Sequence, residues 1–362
     1  MSNPHYRVLS PKYISAFFVP SCLCGIIGLP EIIMPRNITN RIRLVRSYLS
    51  RRERLGAFPF EIAIGITNRC NLDCSFCPQK GSLRPRGNIS LGLLAHLLEQ
   101  AALFVDTVDL SFDGEPFLHP RWAECVEACH RCQVRPILQT NALLLDESLA
   151  REVIRARLYA ITFSLDAASP ETYRRIKPGG DFTRAVGNAE RFIRMAAGIN
   201  QRPRITVQFV RCPENAHETG TFIRYWRSKG ADSIRIKPMF NFGGSVGSIG
   251  APVHKKPCIL LWTSLSIHWD GIVPMCCMEI EGRSSLGDAS RQTLAEIIDD
   301  EAFISLRRLH LVGRCREHPV CRNCDIPAIV RPLVFGSAFV GDWTRRQIIS
   351  NIHKFGFLNK KP

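Results

Sequence analysis

The sequence predicts an α/β protein built on a parallel sheet with helices packed outside it. From Phe60 onward, six short apolar runs alternate as strands do, at 60–67, 107–112, 134–140, 158–165, 204–211 and 232–238. In the gaps the spacing switches to the helical period, at 90–104, 120–132, 146–157, 182–197 and 216–229. The chain has 362 residues, 45% hydrophobic and 22% charged, which is ordinary globular composition and enough for one large domain plus a small one.

The elements follow in order. Ile14 to Met34 is apolar but broken by Pro20 and Pro30, with neither a basic run before it nor a small-residue cleavage site. It reads as neither a spanning helix nor a leader, and Met34 is a plausible alternative start. From Asn40 to Leu55, Ile42, Val45 and Leu49 sit among six arginines. That pattern predicts a basic amphipathic helix lying against the domain, with lipid headgroups as the alternative contact. Leu93, Leu94, Leu97, Leu98 and Ala101 give 90–104 its buried face. Cys125, Cys129 and Cys132 form one stripe of the 120–132 helix, with no loop signal, and are expected to pack in the core. The glycine-rich stretch 242–250 reads as a flexible connection. Beyond it, 264–268 and 272–276 flank Trp269-Asp270-Gly271 as a predicted hairpin, and 293–311 reads as one amphipathic helix.

Charge and cysteine usage narrow the function. Segments 1–60 and 325–362 carry +7 and +4 of the net +16, so the centre holds no basic groove and no specific nucleic-acid partner is expected. Basic ends suit an anionic substrate or a peripheral membrane contact. The 15 cysteines fall in short clusters, as expected for metal binding in a reducing cytoplasm.

Cys70, Cys74 and Cys77 follow the first strand run in a looping segment. Three thiolates on one centre leave a position for a ligand that is not protein, whereas structural zinc is closed by four. Sulfur ligation also suits an iron–sulfur cluster.

The run Thr67-Asn68-Arg69-Cys70 through Cys77, with Phe76 before the third Cys, resembles the radical S-adenosylmethionine (SAM) superfamily. The resemblance implies a partial (β/α)6 barrel with chemistry at the C-terminal strand ends. It also implies a 4Fe–4S cluster on Cys70, Cys74 and Cys77, with SAM on the fourth iron as the source of a 5′-deoxyadenosyl radical. Ser111-Phe112-Asp113-Gly114-Glu115-Pro116 is similar to the family's Gly-Gly-Glu motif for the SAM amino group, with Asp113 in place of the first Gly. Phe76, Gly114, Glu115, Thr140, Asn141, Ser164, Asp166 and Lys237 are the SAM contacts so implied. Asp166 could instead belong to the turn into the next helix.

Cys258, Cys276, Cys321 and Cys324 resemble the SPASM and "twitch" extensions of that superfamily, in the short form holding one auxiliary 4Fe–4S cluster. Cys277 and Cys315 are then spare, and a zinc knuckle is the plain alternative. The implied domains are a basic extension (1–59), the barrel (60–242), a linker (243–257), the auxiliary-cluster domain (258–325) and a basic, apolar tail (326–362). The expected activity is a cytoplasmic oxidoreductase acting on a secondary alcohol of a sugar- or cyclitol-like molecule, supplied with electrons by a flavodoxin or ferredoxin. The candidate catalytic side chains are Glu279, three residues past Cys276, and Arg211, ending the fifth strand run. The alternatives are a peptide-modifying SPASM enzyme and a non-catalytic zinc or electron-transfer protein.

Overall fold

The computed structural model describes residues 37–247 and 257–326, which fall in one compact unit. The first 36 residues, 248–256 and the tail from 327, with the expectations for them, lie outside the described residues.

All six strand runs form strands: β1 (Glu61–Ile64), β2 (Thr107–Asp109), β3 (Arg135–Thr140), β4 (Ala160–Ser164), β5 (Arg204–Arg211) and β6 (Ser233–Pro238). The helices between them are α2 (Leu91–Ala101), α3 (Trp122–Arg131), α4 (Glu147–Arg155), α5 (Pro170–Ile176), α6 (Phe182–Ala196) and α7 (Thr219–Ser228), after an N-terminal α1 (Ile38–Leu49). Short polar side chains start them. Ser90, Asp146, Ser169 and Asp181 each accept the backbone N–H three residues on. With a later strand β7 (Ser264–Ile267), the strand order is β6-β5-β4-β3-β2-β1-β7, with every neighbour parallel, so the C-terminal strand ends gather on one rim. Phe163, Phe192, Phe209, Phe222 and Trp226 make an aromatic layer between sheet and helices. Cys125 and Cys129 are buried on α3 and Cys132 is half-buried at its end, the core stripe that the spacing predicts.

Four expectations change. The buried face of α1 is Asn40, Arg41, Leu44, Ser47 and Tyr48, while Ile42 and Leu49 are exposed. Arg41 turns inward because Asp106 receives it at 2.9 Å, beneath Phe60. The predicted hairpin is a turn whose strands part company: β7 (Ser264–Ile267) lies parallel to β1, and β8 (Ile272–Pro274) pairs with β9 (Ser285–Asp288). After a short α8 (Leu260–Thr263), the single helix over 293–311 is two, α9 (Leu294–Ile298) and α10 (Glu301–Leu311), because Asp300 caps a new start. Residues 242–247 are packed rather than loose. The backbone N–H of Asn241 donates to Asp325 at 3.0 Å, and Gly243, at φ +66°, lies where a Cβ would strike Val320 of α11 (Pro319–Arg322).

The segment 37–59 ties both halves together. The Tyr48 hydroxyl donates to Pro257 O, Trp262 Nε1 donates to Arg52 O, and Arg307 donates to Glu53 O. Among the described residues no helix is long and apolar enough to cross a membrane.

Candidate active site

The cysteine loop hangs from the end of β1 and is pinned at its base. Asn68 donates to Pro85 O and accepts the N–H of Gly87, both at 2.8 Å, and the Thr67 hydroxyl donates to Gly87 O. Within the loop the Cys77 N–H donates to Cys74 O, and Ser75 N–H to Ile176 O. Cys70, Cys74 and Cys77 thereby line one cavity of about 430 Å³ with Phe76, Gly114, Glu115, Thr140, Asn141, Ser164 and Lys237. Burial pushes the Cys74 thiol up to about 12 and Cys77 to about 11, partly offset by Lys177. Such thiols ionise when a cation joins them.

Glu115 sits over this loop, buried, and its backbone N–H donates to Arg69 O. Its carboxylate accepts the Thr140 hydroxyl at 2.8 Å and the Asn141 N–H at 2.9 Å. Desolvation raises its pKa to about 7 against those bonds. Gly114 is required by contact, since a Cβ there would stand 2.3 Å from Thr67 O. Asn141 Nδ2 also donates to Asn71 Oδ1, joining the β3 rim to the loop.

Asp113, where the motif departs from its family, pairs with His268 Nδ1 at 2.6 Å, both buried. This links the β2 rim to the residue after β7. Asp113 Oδ1 and His268 Nε2 have no further hydrogen-bond partner among the described residues.

Several expected residues sit elsewhere. Asp166 is fully buried at φ +65° and does not line the cavity. Its carboxylate accepts Ser164 Oγ at 2.9 Å and Val210 N at 2.7 Å and pairs with Lys177 at 2.8 Å, so it knots β4 to β5 as the turn reading allowed. Glu279 is buried and does not line the cavity, although Met278 and Ile280 on either side of it do; its carboxylate accepts the N–H groups of Arg283 and Ser284. Arg211 is exposed at the end of β5 and does not line the cavity either.

Lys177, which sequence reasoning missed, does line it. Burial pulls its pKa down, but Asp166 beside it outweighs this and keeps the ammonium charged. Lys177-Pro178-Gly179-Gly180 advertises a turn and nothing more. Asp109 and Lys237 line both this cavity and a second of about 290 Å³ reaching Glu61 and Ser264.

The C-terminal thiols assemble from distant points. Cys258 follows the Gly-rich segment, Cys276 and Cys277 follow β8, and Cys321 and Cys324 bracket the end of α11. Burial raises the pKa of Cys258 and of Cys277 to about 12, with the other thiols adding to it. Cys277, Met278 and Ile280 also line the 430 Å³ cavity. Among the described residues no group of three or more His, Cys, Asp or Glu side chains is arranged to hold a single metal ion. Judged by donor chemistry, a soft three-sulfur set beside a carboxylate, and a separate all-sulfur set, fit iron–sulfur groups.

Comparison with known proteins agrees. Residues 64–202 match the radical SAM superfamily model, and residues 258–325 match SPASM, an iron–sulfur cluster-binding domain. A probable GTP 3′,8-cyclase of Methanocaldococcus jannaschii is 28% identical over 50% of this chain and 59% of its own length. A cofactor-modifying protein for the tungsten-containing aldehyde ferredoxin oxidoreductase of Pyrococcus furiosus is 25% identical over 47% of this chain and 49% of its own. The chain thus spans about half to three-fifths of the length of these curated relatives. Among solved structures, BtrN in complex with AdoMet and 2-DOIA superposes with TM-score 0.52 at 18% identity, over 74% of this chain and 93% of BtrN. Streptococcus suis SuiB bound to precursor peptide SuiA gives 0.59 at 14%, over 74% of this chain and 70% of SuiB. The chain therefore belongs to the radical SAM superfamily, with SAM and iron–sulfur clusters as its cofactors and a SPASM-type iron–sulfur domain at its C-terminal side.

Proposed function

We propose that this radical SAM enzyme is an oxidoreductase that converts a secondary alcohol of a small polar, sugar- or cyclitol-like molecule to a carbonyl. The observation that carries the proposal is the shared cavity: Cys70, Cys74 and Cys77 line it from the barrel, and Cys277 and Met278, next to Cys276, line it from the SPASM side. When bound, the cofactors supply a 5′-deoxyadenosyl radical to take the hydrogen atom and an auxiliary cluster to take the electron. Cys70, Cys74 and Cys77 would hold the first cluster, and Cys258, Cys276, Cys321 and Cys324 would hold the second through four thiolates. Glu115, oriented by Thr140 and Asn141, receives the SAM ammonium. Asp109, which lines both cavities as Lys237 does, would take the hydroxyl proton. A flavodoxin or ferredoxin would supply the electrons.

The coverage of 93% of BtrN supports a small-molecule substrate, because almost all of that fold is present here. A peptide substrate is the second reading, supported by the likeness to SuiB with its precursor peptide. Replacing Cys321 and Cys324 by Ala tests the oxidation. SAM cleavage persists in the variant, which serves as the folding control, and oxidised product disappears. Undiminished oxidised product per SAM consumed, or a redox-neutral wild-type product, defeats the proposal.

A further inference from the structure

We infer that His310 donates a hydrogen bond to the C-terminal iron–sulfur cluster through the Cys321 sulfur, and so sets that cluster's reduction potential. The inference rests on reading Cys258 and Cys321 as ligands. His310 lies in the last turn of α10 and is 5% exposed. Its Nδ1 stands 3.3 Å from the backbone nitrogen of Cys258, and its Nε2 stands 3.3 Å from Cys321 Sγ.

The backbone decides the tautomer. The Cys258 N–H can only donate, so Nδ1 is an acceptor and carries no proton. In a neutral imidazole the proton then sits on Nε2, the nitrogen that faces sulfur. One ring thus holds the main chain at one ligand and donates to the sulfur of another, 63 residues away in sequence. An N–H aimed at a thiolate withdraws negative charge from it, and the reduced cluster, being more negative, gains more from this than the oxidised one. His310 therefore raises the potential and makes the cluster a better acceptor for the electron left on substrate. It is a positioning residue and touches neither SAM nor substrate.

The test uses the full chain with Cys70, Cys74 and Cys77 replaced by Ala, so that only the C-terminal cluster titrates. With His310 in place, pulsed EPR on the reduced cluster of protein labelled with ¹⁵N-histidine detects one histidine nitrogen, and His310→Gln abolishes it. His310→Leu lowers the potential at unchanged iron content, and His310→Gln, whose amide N–H reaches about as far, restores most of the shift. An unchanged potential in His310→Leu at full iron overturns the inference. So does the absence of a histidine coupling in the unsubstituted protein, a readout that stands even if His310→Leu fails to keep its cluster. Cys321→Ala separates the two readings: a retained cluster with an unaltered spectrum refutes Cys321 as a ligand, whereas a lost cluster combined with a silent His310 refutes the tuning alone.

Discussion

At the scale of residues, the role proposed for Glu115 would couple SAM binding to pH. Its carboxyl is raised to about 7, chiefly by burial. Below that value it carries a proton that must leave before an ammonium can be paired. Affinity for SAM should therefore fall roughly tenfold per pH unit below about 7 and level off above it. Glu115→Gln should bind weakly and with no such slope; calorimetric titration across that range decides it, and a retained slope contradicts the assignment. The same shift has a stability sign. A carboxyl raised in the folded state favours folding most below its ordinary 4.5, and the ligand-free protein loses that contribution as pH climbs to about 7. Asp113 offers a second test. Restoring the family's glycine with Asp113→Gly removes the partner of buried His268 and should cost about 1–3 kcal/mol in denaturant unfolding. Glu115 was legible because a Gly-Glu pair after a strand is a pattern. Lys177 was not, because a lone lysine before a Pro-Gly-Gly turn has no signature, and nor was the turn of Glu279 toward its own loop, because spacing from a cysteine says nothing about where a carboxylate points.

At the scale of elements, alternation and helical period carried the strands and most helices, since each buries one face. They failed where a charge is buried. The inward face of α1 holds Arg41, which no hydrophobic pattern selects, and its partner Asp106 lies 65 residues away. Asp106→Ala would remove the buried carboxylate that Arg41 pairs with, at a cost of about 3–5 kcal/mol by chemical denaturation; a change within about 0.5 kcal/mol would mean that the pair contributes no more than a surface one. The turn at Trp269-Asp270-Gly271 was legible, but its strands were not assignable, because a turn signal does not name the partner of the strand before it. The α3 stripe is the converse case. Cys125, Cys129 and Cys132 repeat the spacing of the cluster loop, and helix periodicity separates the two. Changing all three to Ala or Val should leave iron content and SAM cleavage intact, and a loss of about four irons from the folded variant would expose a cluster there.

At the scale of the whole molecule, the barrel rim and the SPASM side meet over one cavity, held there by the segment around Tyr48, Arg52 and Glu53. The cysteine spacings revealed both thiol sets. That Cys277 and Met278 reach the same cavity as Cys70 depends on packing between distant segments, which spacing does not encode. The proposed oxidation requires two separate clusters serving that cavity. Iron and sulfide analysis of anaerobically reconstituted protein, read beside SAM cleavage, tests this most directly. The wild type should hold about eight irons, four per cluster, and Cys70, Cys74 and Cys77 replaced by Ala should leave about four with no cleavage of SAM. Stoichiometric zinc without iron, or cleavage that survives the triple replacement, would contradict it.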